Sequence, residues 1–312
     1  MKKVWVLGEA LIDFVPLIAN GETAFVPRNG GSPYNAAKAA ARQGAEVGFL
    51  GALSTDLFGD KLAGELLREG IDTASTPRLS NPTTLAFVEL ESGEPRYAFF
   101  NTATATQMTN PDAEIGTNDI LHVGSISLVD QPGADNIANF ALRNADRVIL
   151  SVDPNARPVM TPDVEDWRNR LFRLIDAADI VKLSDEDLAL LAPGASAEEF
   201  AGKLIGNGVP LVVVTTGPEG AFARSAVAET RVGGHRIEIV DAVGAGDTVT
   251  GTILAQAASR NLSSGTEIAA LDANALREIL ELAIASAAVN CMRSGCNPPT
   301  LDEARAFLAE RS

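Results

Sequence analysis

The stretch Asp241-Ala242-Val243-Gly244-Ala245-Gly246-Asp247-Thr248 decides the fold. Residues 237–240 before it have the apolar rhythm of a strand, and an apolar helical stretch, Val249–Ala258, follows it. A strand, a glycine turn and a helix in this order direct several backbone N–H groups at one point, where the helix N-terminus adds about half a positive charge. The pattern predicts a pocket for an anion, with the carboxylate of Asp247 beside it.

Two roles suit an aspartate at position 247. Capping is the commoner role for Asp near a helix start. The two glycines packed against Asp247, with Ala245 between them, favour a functional carboxylate instead. The helix N-terminus also favours the ionised form of this side chain.

Apolar strands alternate with amphipathic helices along most of the chain. Strands are predicted at Val4–Leu7, Val47–Leu50, Ile120–Val123, Val148–Val152, Ile180–Leu183 and Leu211–Thr215. Helices are predicted at Pro33–Gln43, Phe58–Arg68, Gly133–Arg143, Ala197–Ile205, Asp247–Ser259 and Leu276–Cys291. This alternation predicts an α/β fold with a mainly parallel central sheet between two layers of helices. Ligands of such sheets bind beyond the carboxyl ends of the strands.

Two stretches, 14–29 and 83–100, have strand character without a following helix. The second alternates as a hairpin around Glu91-Ser92-Gly93-Glu94. We expect them to form a small β-sheet, which we interpret as a lid because both stretches flank candidate substrate motifs. An edge extension of the main sheet is the alternative. Residues 1–312 then form a single domain with a β lid.

The composition excludes several classes of function. The chain has 312 residues and a formal net charge of −16. Such an acidic chain is a poor partner for nucleic acid or an anionic membrane surface. No stretch of about 18 apolar residues exists to span a bilayer, and Asp13 interrupts the N-terminal apolar run too early for a signal peptide. We expect a soluble cytoplasmic protein.

Two segments near the N-terminus can bind hydroxyl groups. Asp13 closes an apolar strand, and its carboxylate can accept two hydrogen bonds from neighbouring sugar hydroxyls. In Gly30-Gly31-Ser32-Pro33-Tyr34-Asn35, Ser32 is predicted as a helix N-cap with Pro33 as the first helical residue. The glycines let a ligand approach the backbone, and Asn35 offers a donor and an acceptor. A solvated Asp and a tight turn with an inert Asn are the alternatives.

Three further loops follow predicted strands: Ser151-Val152-Asp153-Pro154-Asn155-Ala156-Arg157, Val181-Lys182-Leu183-Ser184-Asp185-Glu186-Asp187 and Val214-Thr215-Thr216-Gly217-Pro218-Glu219-Gly220-Ala221. Arg157 can reach a substrate oxygen or a phosphoryl group, or it is an ordinary surface residue. Ser184 equally suits a helix cap, with acidic residues in the first turn favouring the helix dipole. The third loop alone is merely a glycine turn.

Together these motifs resemble, in chain order from residue 8 to residue 295, the PfkB (ribokinase-like) family of carbohydrate kinases. The opening Val4–Asp13, the Asp-Pro-Asn-x-Arg run and Lys182-x-Ser184 are most similar to fructokinases. The resemblance implies transfer of the γ-phosphoryl group of ATP to a primary hydroxyl of a monosaccharide. In this comparison Gly244, Ala245 and Gly246 form the anion hole and Asp247 is the catalytic base.

The resemblance also assigns the remaining site residues. The sugar ligands are Asp13, Gly30, Gly31, Asn35 and Arg157. The ATP-binding residues are Lys182, Ser184, Thr215, Gly217, Gly220, Gly246 and, on the adenine side, Ile284. Asp187 takes the position that organises Mg²⁺ through water, with Glu186 as the alternative. A monovalent cation such as K⁺ is a further expectation, although Ala242 stands where the family usually has threonine.

A sugar and ATP are therefore the expected partners, and an apolar lid with Phe87, Tyr97 and Phe99 could pair with a second copy of the chain. Fructose is the expected sugar; 2-keto-3-deoxygluconate kinase, ribokinase and nucleoside kinase are the alternatives. A nicotinamide oxidoreductase does not fit, because the glycine after Gly246 comes at the wrong spacing. A P-loop kinase is excluded, because Lys203 is followed by leucine. A non-catalytic sugar- or nucleotide-binding protein would have no need of Asp247.

Overall fold

The computed structural model describes residues 2–91 and 94–311. Its strands are β1 (Lys3–Leu7), β2 (Leu11–Ala19), β3 (Glu22–Gly30), β4 (Glu46–Phe49), β5 (Leu53–Ser54), β6 (Arg78–Leu79), β7 (Thr84–Glu91), β8 (Glu94–Phe100), β9 (Ile120–Gly124), β10 (Ile149–Asp153), β11 (Ile180–Ser184), β12 (Leu211–Thr215), β13 (Ala221–Ser225) and β14 (Glu229–Val232). Its helices are α1 (Ser32–Arg42), α2 (Leu57–Arg68), α3 (Gly133–Asn144), α4 (Val164–Asp176), α5 (Asp185–Leu191), α6 (Ala197–Gly206), α7 (Ala245–Ser259), α8 (Gly265–Ala269), α9 (Ala273–Cys291) and α10 (Leu301–Ala309).

Eight of these strands form one large sheet in the order β14-β13-β12-β11-β10-β9-β1-β4. The six strands from β12 to β4 pair in parallel. Strands β13 and β14 extend the sheet as antiparallel strands at one edge. The parallel strands are apolar along both faces because helices cover both sides of the sheet. The predicted mainly parallel central sheet is confirmed.

Successive residues of each strand point to opposite faces, so the sheet has two apolar cores. Val4 and Val6 of β1 lie in a core that includes residues of α1, α2, α7, α8 and α9. Trp5 and Leu7 lie in a second core with residues of α3, α4, α5 and α6. The result is the three-layer α/β/α arrangement that the alternation of strands and helices predicts.

The stretches that lack helices form a second, small sheet in the order β3-β2-β7-β8. Its strands begin a few residues earlier than predicted, at Leu11 rather than residue 14. Phe14 stacks on Phe87 with 4.5 Å between ring centroids, and its edge contacts Phe58 of α2 at 5.6 Å. This aromatic contact fixes the small sheet on the main domain. The predicted turn at residues 91–94 and the side chain of Tyr97 fall partly or wholly outside the described residues.

Three local predictions are wrong. Residues 237–240 make no strand in the described structure; Ile239 and Val240 are 59% and 61% exposed, and the Val240 N–H donates to Cys291 O at the end of α9 (2.9 Å). Asp13 does not close the first strand, which ends at Leu7, but is the third residue of β2. Ser32 is the first residue of α1 rather than its cap, a position that Gly31 takes with φ of 105°.

Several elements have no counterpart in the sequence prediction: the helices α4, α8 and α10 and the strands β5, β6, β13 and β14. Within residues 2–91 and 94–311, no helix combines the length and apolar character needed to cross a membrane.

Candidate active site

A cavity of about 460 Å³ lies at the carboxyl ends of the central strands. The loops after β1, β9 and β10 supply one wall, and strands β2 and β3 of the small sheet supply another. The glycine turn before α7 and the segment Ser294–Cys296 close the remaining side. The cavity thus occupies the position at which open α/β sheets bind ligands.

Asp247 lies in the first turn of α7 and lines this cavity, although it is only 8% exposed. Its Oδ1 accepts a hydrogen bond from Ser32 Oγ (2.7 Å), and its Oδ2 accepts one from Asn35 Nδ2 (2.8 Å). Both donors belong to the first turn of α1. Burial raises the pKa of Asp247, while the bonds from Ser32 and Asn35 act against that shift. The net direction of the pKa is upward, whereas the sequence interpretation considered only the helix N-terminus, which favours the ionised form.

The glycine turn forms the start of α7 and lines the cavity. Gly244 is the N-cap of α7 with φ of 76°, a conformation that favours glycine, and a Cβ there would collide with Cys296 Sγ. The first amides of a helix have no acceptor within it. The amide of Ala245 donates to Ala242 O (3.2 Å) and closes the turn. Gly246 lies beside Lys182, whose Nζ is 3.3 Å from the position of a Gly246 Cβ.

Lys182 lines the cavity and is 4% exposed. Its Nζ donates to Asp153 Oδ2 (3.0 Å), and Thr250 Oγ1 donates to the same oxygen (2.8 Å). Burial opposes the charge of Lys182, but the carboxylates of Asp153 and Asp187 outweigh it and raise the pKa of the lysine. A buried cation is therefore held next to the glycine turn.

Asp187 forms a helix cap rather than an open ligand. Ser184 Oγ accepts the Asp187 N–H, and Asp187 Oδ2 accepts the Ser184 N–H, in the reciprocal pattern of a capping box. Asp187 Oδ1 accepts the Ala156 N–H (2.7 Å). Both carboxylate oxygens are thus engaged with backbone, and the capping role weighed from the sequence is the one the contacts support. Ser184 Oγ belongs to the same cap.

The predicted sugar residues line the cavity from the side of the small sheet and the loop after β10. Asp13 is half-buried, and burial followed by repulsion from Asp247 raises its pKa to about 6. A Cβ on Gly30 would collide with Asp13 Oδ2, and one on Gly31 would lie 2.7 Å from Glu9 O. Arg157 is exposed at the cavity mouth, where its Nη1 donates to Ala156 O (2.9 Å).

Glu9 is a cavity residue that the sequence interpretation missed. It is 1% exposed; Oε1 accepts the Ser32 N–H (3.0 Å) and Oε2 accepts the Ser127 N–H (3.2 Å). Glu9 thereby ties the loop after β9 to the start of α1, whose Ser32 holds Asp247. The available signal was an acidic residue directly after an apolar strand, and Glu9 fits that description better than Asp13.

The remaining predicted nucleotide residues lie outside the cavity wall. Thr215 ends β12, and the turn after it is closed by the Thr216 N–H bonding to Gly220 O (2.9 Å). Gly217 is exposed at this turn. Ile284 is 7% exposed and packs in the core shared with α7.

No group of three or more His, Cys, Asp or Glu side chains is arranged to hold a metal ion in the described part of the chain. Asp241, a carboxylate near the glycine turn, accepts the N–H groups of Val243 (3.0 Å) and Gly295 (2.9 Å). Among the residues described, this end of the sheet therefore offers no preformed cage of carboxylates.

Known proteins match this arrangement along the whole chain. The family described as pfkB family carbohydrate kinase matches residues 1–304. The chain belongs to that family. It is 36% identical over 274 residues to a fructokinase of Rhizobium leguminosarum bv. trifolii, covering 86% of this chain and 84% of the relative.

Solved structures agree with this membership. A crystal structure of fructokinase from Xylella fastidiosa with bound ATP has 29% sequence identity to this kinase and a TM-score of 0.90, covering 99% of this chain and 98% of that one. Fructokinase from Vibrio cholerae O395 with fructose, ADP and calcium ion bound has 26% identity and a TM-score of 0.85, with 99% of each chain covered. The predicted family, the ribokinase-like fold and the activity class of a carbohydrate kinase are confirmed.

Proposed function

We propose that this kinase transfers the γ-phosphoryl group of ATP to a primary hydroxyl of fructose, with Asp247 as the base that accepts the hydroxyl proton. The observation that carries the proposal is the position of the Asp247 carboxylate. It lines the cavity from the first turn of α7 and is held there by Ser32 and Asn35. A base must lie within hydrogen-bond reach of the proton that it removes. Burial raises the pKa of Asp247, which makes its carboxylate a stronger base.

The sugar is bound in the 460 Å³ cavity by Asp13, the Gly30-Gly31 backbone and Arg157. Asn35 has two functions in this proposal: its Nδ2 holds Asp247, and its buried Oδ1, which has no hydrogen-bond partner, is available to a sugar hydroxyl. A buried acceptor without a partner is costly. A ligand hydroxyl at this position would remove that cost.

ATP lies across the loops at 182–187 and 215–220, with its terminal phosphate at Gly244–Gly246 and Lys182. Amides and a cation aimed at the transferred group stabilise the charge that it carries during transfer. Lys182 is the residue with the strongest support, since its buried ammonium lies beside Gly246. Thr215, Gly217 and Gly220 would contact the nucleotide from an exposed turn.

Magnesium enters the reaction as part of the Mg·ATP substrate. Asp187 is proposed to act on Mg²⁺ through water, because both of its oxygens already accept backbone N–H groups. Glu186, the alternative, lies in the exposed first turn of α5. Activation by K⁺ and a cytoplasmic location stay predictions.

The small sheet is proposed to act as the lid. Asp13 and Phe99 place two of its strands on the cavity, so closure would exclude water from the transfer step. Phe25 and Phe100 are 41% and 60% exposed on this sheet, and a second copy of the chain is the proposed cover for them. A dimer through the lid predicts twice the monomer mass in solution.

An ADP-release screen tests the substrate assignment. The purified protein receives ATP and Mg²⁺ with fructose, ribose, 2-keto-3-deoxygluconate or adenosine. We expect fructose to give the highest kcat/KM. A higher value for 2-keto-3-deoxygluconate or ribose would move the substrate to that alternative, and stimulation by none would favour a non-catalytic binding protein.

A further inference from the structure

Asp153 is a buried carboxylate for which sugar binding and proton abstraction leave no role. It ends β10 and is 1% exposed. One oxygen, Oδ2, accepts hydrogen bonds from Lys182 Nζ (3.0 Å) and Thr250 Oγ1 (2.8 Å). The other oxygen, Oδ1, is buried and has no hydrogen-bond partner among the residues that the structure describes. Such a burial is costly for a charged group.

The surroundings of this carboxylate join three parts of the transfer site. Lys182 comes from β11 and faces the glycine turn at Gly246. Thr250 comes from α7, one turn after Asp247, so its bond fixes the helix that carries the base. Asp153 therefore fixes the Lys182 ammonium and helix α7 relative to each other. A transferred phosphoryl group would lie between the two.

Stability alone does not explain a buried ion pair at this position, because an apolar pair of similar volume is often as stable. Both side chains of the Asp153–Lys182 pair are almost completely buried, and Lys182 is the one that lines the cavity. We propose that Asp153 is a positioning residue that keeps Lys182 protonated and directed at the glycine turn, so that its ammonium meets the oxygens of the transferred phosphoryl group. This inference rests on the proposed kinase function.

The charged and titratable groups that act on Lys182 come from four elements. Asp153 on β10, Asp187 on α5 and Asp247 on α7 favour its charged form, and burial opposes it. His122 on β9 stays neutral, because burial followed by the charge of Lys182 lowers its pKa to about 3. When the charge of Asp153 is removed, burial is opposed only by the two other carboxylates, and the pKa of Lys182 falls.

The first experiment measures kcat between about pH 6 and pH 10 for the wild type, Asp153→Asn and Asp179→Asn. Asp179 is the matched control: it is a partly buried carboxylate at the opposite end of the same strands, where it accepts the Leu150 N–H (2.9 Å). We expect Asp153→Asn to lower kcat on the order of 10²-fold at pH 8, as for loss of a charge-stabilising donor. The kcat of Asp153→Asn relative to the wild type should fall further as the pH rises, because Lys182 loses its proton at a lower pH in this variant. Asp179→Asn should keep the wild-type pH profile.

The second experiment needs no substrate. Lysine labelled with ¹³C at the ε carbon gives signals from the six lysines of the chain, and Lys182→Met identifies the one from Lys182. We expect the Lys182 signal of Asp153→Asn to titrate at least about one pH unit below that of the wild type, with the other signals unchanged. If no sugar is phosphorylated by the wild type, the proposed function fails, yet this titration still tests the role of Asp153.

Two results would overturn the inference. One is an Asp153→Asn protein whose Lys182 titrates as in the wild type; the other is a loss of kcat that is the same at every pH, which indicates a structural role only. If Asp153→Asn does not fold, Thr250→Val carries the test, because it removes one bond to Asp153 and no charge. That variant keeps the charge of Asp153 and so should leave the Lys182 titration as in the wild type, but it should lower kcat severalfold because Asp153 is held by one bond fewer. An unchanged kcat would count against the proposal.

Discussion

The sugar side and the nucleotide side of this kinase are built in different ways. Asp247 is held by Ser32 and Asn35, which lie 215 and 212 residues away in the chain. The proposed nucleotide turn is closed mainly by Thr216 and Gly220, four residues apart, and residues 217–219 are exposed. The first region depends on the whole fold to bring its groups together, while this turn depends largely on local geometry. Single substitutions should therefore have large effects at the groups that hold Asp247 and smaller ones at the exposed turn.

The largest effect is expected from Asp247→Asn. Removal of a general base costs about 10²–10⁴ in rate, and the amide keeps the size of the side chain. We expect kcat for sugar-dependent ADP release to fall by that factor, while the Kd for ATP measured by calorimetry changes less than about threefold. A kcat near the wild-type value would remove Asp247 from the proton transfer.

The next largest effect is expected from Gly30→Ala, which should weaken sugar binding. The new methyl group would collide with Asp13 Oδ2, and overpacking of this kind costs about 1–3 kcal/mol. We expect the KM for the sugar to rise about 10–100-fold with the KM for ATP unchanged. Gly64→Ala is the control: this helical glycine has open space around it, and we expect its kinetics to match the wild type.

Ser32→Ala separates orientation of the base from its presence. The variant removes one of two bonds to Asp247, and a hydrogen bond to a charged group contributes about 1.5–3 kcal/mol. With Asn35 still in place, we expect kcat to fall about tenfold. Ser196→Ala is the control, since Ser196 caps α6; it should lower stability by about 1 kcal/mol in urea unfolding and leave kcat unchanged. Equal kcat values for the two variants would contradict the orienting role of Ser32.

The pH dependence of sugar affinity sharpens the same comparison. Burial and repulsion from Asp247 raise the pKa of Asp13 to about 6, so its ionised form is lost as the pH falls through that value. Only the ionised carboxylate offers both oxygens as charged acceptors to two sugar hydroxyls. We expect the KM for the sugar to rise about tenfold from pH 7 to pH 5, because a single group with a pKa of about 6 loses about nine-tenths of its ionised form over this range. The KM for ATP should stay level. In Asp13→Asn the sugar KM should be high and independent of pH over this range.

Local patterns in the sequence predict much of this structure. The Gly244–Gly246 turn and the start of α7 follow from adjacent residues, and the alternation of apolar strands and helices predicts the parallel sheet. Contacts between distant residues were out of reach. Glu9 is held in the cavity wall partly by the Ser127 N–H, 118 residues away. No pattern near position 9 predicts that contact.

The same limit explains the errors. Residues 237–240 alternate as a strand, but a strand also needs a neighbouring strand to pair with, and the Val240 N–H bonds instead to Cys291 O at the end of α9, 51 residues away. Asp187 fits either a capping box or a magnesium site by spacing alone. In the folded chain Asp187 caps α5 and its second oxygen accepts the Ala156 N–H, while its role toward Mg²⁺ through water stays a prediction.

The smallest effect on activity is expected at Ile284, the predicted adenine contact. Its side chain packs in the core shared with α7 and is 7% exposed. Ile284→Val removes one buried methylene, a change that typically costs about 0.5–1.5 kcal/mol of stability. We expect urea unfolding to show that loss, while the KM for ATP stays within about twofold of the wild type. A clear rise in the KM for ATP, without loss of stability, would return Ile284 to the nucleotide site and show that this side of the kinase also depends on contacts between distant residues.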